Sequence, residues 1–153
     1  MRRKEKEIKD RMELAEIIEQ GKICRLGLSQ NNVPYIVPMN YGFIGNNLYF
    51  HSAKDGKKLD IIKKNNYACF EIEIETKIIK AEKACNWGMR YKSIIGYGHI
   101  EEVSERKEKK YGLLSLMRQY DKNRDWIFDD DGFNKTLVLK LTIEQMSGKT
   151  SGY

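Results

Sequence analysis

The chain has 153 residues, of which 41% are hydrophobic and 33% charged, and its formal net charge at pH 7 is +6. This length predicts one domain with a proper hydrophobic core, and the composition excludes a disordered or fibrous protein. No apolar run approaches the roughly 20 residues that cross a membrane, and the charged N-terminus does not resemble a secretory signal. We therefore expect a cytoplasmic protein without a membrane partner. The positive charge favours an anionic partner, such as nucleic acid or a phosphorylated small molecule.

Apolar spacing along the chain predicts a few helices around a set of strands that are mostly connected as hairpins. The predicted elements are a helix over 4–20, strands over 23–29, 33–41 and 48–50, a helix over 56–64, strands over 67–75 and 91–103, a helix over 104–120 with Ser104 as its cap, and a strand over 136–143. Residues 76–86 predict a further strand or a loop, and residues 123–134 a loop with one helical turn. Gly96 and Gly98 predict a bend in the long strand that contains them.

Three local patterns support these elements. The polar turn at residues 29–32, which contains two asparagines, predicts a hairpin between the first two strands. The strand over 67–75 alternates strictly and is predicted to be half-buried, with its apolar face formed by Ala68, Phe70, Ile72 and Ile74. The helix over 104–120 is predicted to be amphipathic, with one side formed by Tyr111, Leu114 and Met117 or Arg118.

This order of elements indicates the fold class. Hairpin order favours an antiparallel barrel over a parallel βαβ sheet. We therefore predict a single domain, residues 1–153, with a mainly β (α+β) fold: an antiparallel barrel of six or seven strands with peripheral helices. No GxGxxG or Walker-type sequence is present, so the common nucleotide-binding folds are not supported.

The second predicted strand contains Pro34 and Pro38, which are the only prolines of the chain. A proline has no backbone N–H and cannot donate a hydrogen bond to a neighbouring strand. We therefore expect this strand to have an open or interrupted edge, because proline is confined to such positions in sheets. The backbone N–H and C=O groups on that edge would then be free to form hydrogen bonds outside the sheet.

The stretch from Leu48 to Lys58, LYFHSAKDGKK, predicts a strand, a short polar loop and the start of a helix that Asp55 caps. Lys57 and Lys58 then fall in the first helical turn, where the helix dipole already places partial positive charge. A bound anion would relieve this unfavourable arrangement, because backbone N–H groups and two ammonium groups would converge on it. The stretch therefore predicts a phosphate-binding site. A solvated lysine pair on a surface helix is the alternative that these residues leave open.

The three cysteines do not form a metal-binding pattern. Cys24, Cys69 and Cys85 lack CxxC spacing, and the chain has only two histidines, so we predict no metal site and reduced thiols. Cys69 lies in an apolar strand pattern, which is typical of a buried cysteine. Cys85 lies close to Trp87 and is a candidate reactive thiol.

Three segments of the chain carry a family resemblance. They are Val33–Gly42 (VPYIVPMNYG), Leu48–Ser52 (LYFHS) continuing to Gly56–Lys58, and Tyr91–Gly98 (YKSIIGYG). In this order and spacing they resemble the FMN-binding split-barrel superfamily that includes pyridoxamine 5'-phosphate oxidase, and most closely its nitroimidazole-reductase-like (Nim) branch. The resemblance implies a homodimer with FMN in the cleft between the subunits, so that the partner would complete each site.

The resemblance also implies which residues bind FMN. They are Val37, Pro38, Met39 and Asn40 along the flavin ring, Phe50, His51 and Ser52 on the strand that leads to the phosphate, Lys57 and Lys58 on the phosphate, and Ser93 against the cofactor. His51 is also a candidate proton donor, and the alternative is a hydrogen-bonding histidine without a catalytic role. Tyr35 and Asn40 stand where pyridoxamine phosphate oxidases carry arginine-based motifs, which argues against pyridoxamine phosphate as the substrate.

The implied activity is an FMN-dependent oxidoreductase that uses NAD(P)H as the electron donor and a small electrophile, such as a nitroaromatic, as the acceptor. Two alternatives stay open. One is a flavin-binding or flavin-sensing protein without turnover. The other is a basic barrel that binds single-stranded nucleic acid, with Tyr35, Tyr41, Tyr49 and Phe50 as stacking platforms. The lysines are scattered among glutamates rather than gathered into one basic block, which argues against nucleic acid.

Overall fold

An antiparallel sheet of eight strands, with four α-helices around it, forms the computed structural model, which describes residues 3–153. The strands are β1 (Glu7–Ile8), β2 (Cys24–Gln30), β3 (Val33–Met39), β4 (Gly42–Ile44), β5 (Asn47–Ser52), β6 (Tyr67–Ile79), β7 (Gly88–Glu102) and β8 (Leu137–Ser151). The helices are α1 (Arg11–Gln20), α2 (Lys57–Ile62), α3 (Arg106–Tyr120) and α4 (Asp130–Lys135), with turns of 3₁₀ helix at Lys4–Lys6 and Ala84–Asn86. Within the described range, no helix is both long and apolar enough to cross a membrane.

The strands follow the order β3-β2-β6-β7-β8-β5-β4, and β1 pairs with the far end of β8. Every pairing is antiparallel. No pairing within residues 3–153 joins β3 to β4, so the barrel is split at this position. The predicted fold class is confirmed. The sheet has eight strands rather than six or seven, because β1 and β4, with two and three residues, are too short to show a period-2 pattern.

The main core lies inside the curved sheet. Strand β6 places Ala68, Phe70 and Ile72 in this core, as its alternation predicted. Phe50 of β5 lies at its centre and is completely buried. A second, smaller core lies between α3, α4 and the outer side of the sheet, and consists of Tyr49, Val103, Leu113, Phe133 and Val138. The outer faces of β5 and β8 are therefore covered in part, at Tyr49 and Val138.

The first helix is shorter than predicted. It begins at Arg11, because the Asp10 carboxylate accepts hydrogen bonds from the backbone N–H groups of Met12 and Glu13 and so caps the helix there. Before it, Lys4–Lys6 form a 3₁₀ turn, and Glu7–Ile8 form β1, which adds to the edge of β8. The prediction of a continuous helix over 4–20 was therefore wrong, and a side chain that caps the helix inside that range explains the error.

Two expectations about α3 were also wrong. Its cap is Glu105 rather than Ser104, since the Glu105 carboxylate accepts from the backbone N–H groups of Lys107 and Glu108. The residues of α3 that are buried are Gly112, Leu113, Ser115, Leu116 and Gln119. On the predicted face, Tyr111 is exposed and Leu114 only half-buried. A Cβ atom on Gly112 would lie only 2.6 Å from the Tyr49 ring, so the helix approaches the sheet on its small residues. Hydrophobic periodicity in the sequence does not reveal such a contact, because a glycine makes it.

The bend predicted in β7 is confirmed. The pairing between β7 and β8 shifts register between Tyr97 and Gly98. A Cβ atom on Gly98 would collide with the backbone carbonyl oxygen of Thr142, so only glycine permits this close approach of the two strands.

Gln119 joins α3 to the end of α1, and its loss is expected to destabilise the protein. Its buried Nε2 lies 2.9 Å from the carbonyl oxygens of Ile18 and Glu19 and 3.1 Å from that of Gly21. Gln119→Leu would remove this donor from the three carbonyl groups, although that of Ile18 would keep its hydrogen bond from the Tyr41 hydroxyl. The loss is expected to lower the free energy of unfolding by about 1–3 kcal/mol.

Urea denaturation of Gln119→Leu would measure this loss. Gln145→Leu is the matched control, because Gln145 is exposed and, among residues 3–153, its amide forms a hydrogen bond only with the Tyr67 hydroxyl. The control is expected to change stability by less than about 0.5 kcal/mol. A similarly small change for Gln119→Leu would contradict the bridging role of this amide.

Candidate functional site

The two predicted phosphate-binding lysines begin α2. Lys57 and Lys58 are its first two residues, and Gly56 precedes them with a φ of 117°, a conformation that favours glycine. The expectation that Asp55 caps the helix was wrong, because Gly56 occupies the cap position and no side chain caps the first turn. Since α2 has only six residues, its aligned peptide dipoles add little, and the two ammonium groups supply most of the positive potential.

The two lysine side chains are free of acidic partners. Within residues 3–153, no carboxylate lies within 4.0 Å of the ammonium group of Lys57 or Lys58. The Lys57 Nζ lies 5.0 Å from the centre of the Tyr35 ring on β3, which is a cation–π distance. Lys57 is exposed and Lys58 half-buried, so both charges remain available to an anion.

Strand β3 has the open edge that its prolines predicted. It pairs with β2 on one side, and within residues 3–153 no strand pairs with it on the other. Val37 is half-buried against the main core and Met39 is buried, whereas Pro38 and Asn40 are exposed. The side chains predicted to lie along the flavin ring therefore alternate between core and solvent. The feature that Val37, Pro38 and Met39 share is the backbone along the free edge of β3.

The three predicted residues on β5 differ in their exposure. The Phe50 ring is buried in the main core and has no free surface. Ser52 is also buried, and its Oγ donates a hydrogen bond to the carbonyl oxygen of Ala53 at 2.8 Å. His51 points to the exposed outer side of β5, opposite Val138 of β8. Only His51 therefore offers its side chain to a ligand, and Phe50 could contact one only through its backbone.

Ser93 lies apart from the other predicted residues. It is on β7, and the strand order places β2 and β6 between β7 and β3. Three strand spacings amount to about 14 Å along the sheet. A single chain therefore brings together β3, the end of β5 and the start of α2, but does not bring Ser93 to them.

The sequence did not predict a cleft of about 350 Å³ next to Lys57. It lies between α2 and the turn from β2 to β3, where Asn31 and Asn32 both have positive φ angles, as two-residue hairpin turns require. The asparagines predicted the hairpin. They could not show that α2, more than 20 residues later, packs beside it.

The rings proposed as nucleic-acid stacking platforms are mostly inaccessible. Tyr41, Tyr49 and Phe50 are buried, and only Tyr35 of that set is partly exposed. The Tyr41 hydroxyl donates a hydrogen bond to the carbonyl oxygen of Ile18, and burial raises the pKa of this phenol well above its ordinary value. Because a base can stack only on an exposed ring, the nucleic-acid hypothesis is wrong about three of its four residues.

The cysteines differ strongly in exposure. Cys24 is buried, and burial raises the pKa of its thiol far above its ordinary value. Cys69 is half-buried, and burial raises its pKa as well. Cys85 is exposed on a 3₁₀ turn close to Trp87, which is half-exposed. Among the residues that the structure describes, no group of three or more His, Cys, Asp or Glu side chains is arranged to hold a metal ion.

The outer side of the sheet carries exposed apolar side chains. Ile36 of β3 is 69% exposed, and Ile95 of β7 is also exposed. Tyr67 and Tyr97 stack on each other with ring centres 6.3 Å apart. Between these strands, Arg25 forms ion pairs of 2.9 Å with both Glu71 and Glu73. Burial raises the pKa of Glu71 despite this arginine. The face is therefore a mixed apolar and charged surface.

Comparison with known proteins identifies the family. A family model described as pyridoxamine 5'-phosphate oxidase matches residues 10–150. The chain belongs to the pyridoxamine 5'-phosphate oxidase family. The family predicted from the three sequence segments is therefore confirmed.

Individual proteins of known sequence or structure are similar to this chain. A candidate 5-nitroimidazole antibiotic resistance protein from Bacteroides thetaiotaomicron is 30% identical, with a TM-score of 0.84 over 94% of this chain and 86% of that protein. An FAD- and heme-binding protein from Mycobacterium smegmatis has the same fold, with a TM-score of 0.85, 20% identity and coverage of 97% and 74%. An uncharacterised protein from Rhizobium meliloti is 26% identical over 78% of this chain and 72% of its own length.

Proposed function

We propose that this member of the pyridoxamine 5'-phosphate oxidase family is a flavin-dependent oxidoreductase that reduces a small electrophile such as a nitroaromatic compound. The proposed cofactor is FMN, and the proposed electron donor is NAD(P)H. The observation that carries the proposal is the pair of ammonium groups on Lys57 and Lys58, without carboxylate partners in the described chain, beside the free backbone edge of β3. The 30% identity to a candidate 5-nitroimidazole resistance protein supports the choice of electrophile.

The residues present fit a flavin phosphate and ring. Two ammonium groups match the charge of a phosphate dianion, and Gly56 keeps the approach to them free of a side chain. The polar edge of a flavin ring needs hydrogen-bond donors and acceptors, which the open edge of β3 offers through its backbone. Asn40, which follows β3 and is exposed, adds a side-chain amide at the end of that edge.

A bound flavin supplies hydride or electron transfer, so the protein contributes binding, orientation and electrostatics. In this proposal Lys57 and Lys58 hold the phosphate, and the backbone of Val37 to Asn40 orients the ring. Val37 and Met39, which pack on the main core, keep that strand rigid. His51, which is exposed on β5, is the candidate proton donor near the site.

The proposal includes a homodimer. Two observations support it: Ser93 lies about three strand spacings from the rest of the site, and the outer side of the sheet exposes Ile36, Ile95 and stacked tyrosines. A second copy packed on this face would bury these apolar side chains. It would also bring its own Ser93 towards the flavin of the first copy.

Absorbance spectroscopy of the purified protein tests the proposal. We expect a yellow protein, or one that becomes yellow with added FMN, whose blue absorbance is lost with NADH or NADPH without oxygen. That absorbance should return when a nitroaromatic is added. A yellow protein that neither NADH nor NADPH reduces would instead be a flavin-binding protein without turnover. A protein that takes up no flavin would overturn the proposal.

A further inference from the structure

Strand β8 has an unpaired gap in its edge, between the segments that pair with β5 and with β1. Strand β5 pairs with β8 as far as Thr142, and β1 pairs with it from Gly148 onwards. Within residues 3–153, no strand pairs with residues 144–147 on that side. Four residues of a strand span about 13 Å. The gap therefore exposes a short length of sheet edge.

Both ends of the gap are closed. At one end, the Ile143 N–H donates to the carbonyl oxygen of Asn46 at 2.9 Å, and the Asn46 side-chain amide donates to the carbonyl oxygen of Ile143. At the other end, a Cβ atom on Gly148 would collide with Leu14 and Ile8, because α1 and β1 lie directly against β8 there. A long peptide could not run through the gap in the plane of the sheet. An extended ligand that fills it is therefore limited to about four residues.

Met146 directs its backbone groups into the gap. Residues with side chains on one face of a strand direct their N–H and C=O groups to the same edge. Ile143 and Met146 both pack on the main core, and the Ile143 N–H points to the β5 side. Glu144, which has no partner on β7 at the register shift, accounts for the odd spacing between them. Within residues 3–153, no protein group pairs with the Met146 N–H or C=O on this side, so the gap offers one donor and one acceptor.

A cleft of about 780 Å³ lies over the gap, within the roughly 300–1,000 Å³ of small-molecule sites. The cleft is lined by the gap itself, by Phe43 of β4 and by Leu14 of α1. A residue paired with Met146 would direct its side chain to the same face of the sheet as Met146. That side chain would lie among three apolar groups. The cleft therefore suits an extended ligand with an apolar side chain at this position.

The charges of the cleft suit one carboxylate. Four charged side chains line it, and three of them face a partner. The Lys9 Nζ lies 3.8 Å from the Glu7 carboxylate, and the Glu144 carboxylate lies 2.5 Å from the His99 Nδ1. Within residues 3–153, no carboxylate lies within 4.0 Å of the exposed Arg11 guanidinium. A guanidinium group binds a carboxylate through two parallel hydrogen bonds.

We propose that this cleft binds a short peptide, of about two to four residues, with a free terminal carboxylate. A backbone amide of the peptide pairs with Met146 and extends the sheet locally. Its apolar side chain lies between Phe43 and Leu14, and its carboxylate binds Arg11. The cleft borders the β4–β5 turn, at the opposite end of β5 from His51 and Ser52, so the proposal does not depend on flavin binding.

Isothermal titration calorimetry of the purified protein with the tripeptide alanyl-leucyl-alanine tests the proposal. We expect saturable binding. The same peptide with a C-terminal amide should bind at least about tenfold more weakly, because Arg11 loses its partner. The peptide with an N-methylated leucine should also bind at least about tenfold more weakly, because it cannot donate to the Met146 carbonyl oxygen. Both changes are in the ligand, so misfolding of the protein cannot cause either loss.

Arg11→Gln tests the same contact from the side of the protein. It should weaken binding of the free acid at least about tenfold and leave binding of the amide unchanged. Arg124→Gln is the control, because Arg124 is also exposed, lies over the Trp126 ring and does not line the cleft, and it should change neither affinity.

Three results would overturn the proposal. One is the absence of saturable binding of the tripeptide up to about 10 mM. Another is equal affinity for the free acid, the amide and the N-methylated peptide. The third is equal affinity for the tripeptide and for a peptide that carries the same sequence in the middle of a longer chain, since the closed ends of the gap and Arg11 both require a short ligand with a free carboxylate.

Discussion

Replacing Lys57 and Lys58 together by alanine is expected to weaken FMN binding by about 10²- to 10⁴-fold. Each charge-assisted hydrogen bond to a phosphate contributes roughly 1.5–3 kcal/mol, and the double variant removes both ammonium groups. The fold should persist, because Lys57 is exposed, Lys58 is half-buried, and neither forms an ion pair within the described chain. Fluorescence titration with FMN measures the affinity, and circular dichroism checks the fold.

Lys63→Ala with Lys64→Ala is the matched control for this experiment. These two lysines lie just beyond the other end of α2 and are both exposed. Their replacement removes two positive charges, as the replacement of Lys57 and Lys58 does. We expect the control to change FMN affinity by less than about threefold, since general charge effects are screened by salt. Equal losses in both double variants would mean that net charge, rather than a phosphate site at the start of α2, drives binding.

Phe50→Ala is expected to cause the largest loss of stability, about 3–5 kcal/mol of the free energy of unfolding. The ring is fully buried at the centre of the main core, and its removal would leave a cavity that the surrounding strands cannot close. Small domains have only about 5–15 kcal/mol in total, so the variant should unfold at much lower urea concentration and temperature. Ile36→Ala, on the exposed side of β3, should change stability by less than about 0.5 kcal/mol.

The milder change Phe50→Leu separates a structural role from a role in cofactor binding. Because the side chain has no free surface, we expect Phe50→Leu to lower stability modestly and to leave FMN affinity unchanged. A loss of FMN affinity at unchanged stability would show that the ring itself contacts the cofactor. That result would require the β5 end of the barrel to open when the flavin binds.

The architecture was predictable where the sequence repeats a regular pattern. The alternation of β6 and the turn between β2 and β3 are local signals, and each was confirmed. The prolines predicted an open edge because a proline lacks a backbone N–H group in any structural context. Strands β1 and β4 were missed because two or three residues cannot show a period. The buried face of α3 was missed because Gly112 and Ser115 are selected by close packing, not by hydrophobicity.

The candidate site was predictable only in its local parts. Lys57 and Lys58 are neighbours in sequence, so their position together at the start of α2 could be predicted without knowing the fold. The contact between Lys57 and Tyr35 joins residues on different elements, and only the packing of α2 beside the β2–β3 hairpin creates it. The separation of Ser93 from β3 follows from strand order, which no local pattern encodes. The same is true of the cleft beside Lys57.

The pairing of β8 also determines when the barrel can form during synthesis. Along its length β8 pairs with β7, its first residues pair with β5, and its last residues pair with β1. In the described chain, the β4–β5 hairpin is joined to the rest of the sheet only through β8. Until Ser151 has left the ribosome, the nascent chain can therefore pair β3, β2, β6 and β7 and form the β4–β5 hairpin, but it cannot form the complete sheet. Closure is a late, long-range step, which is typical of slow-folding β topologies.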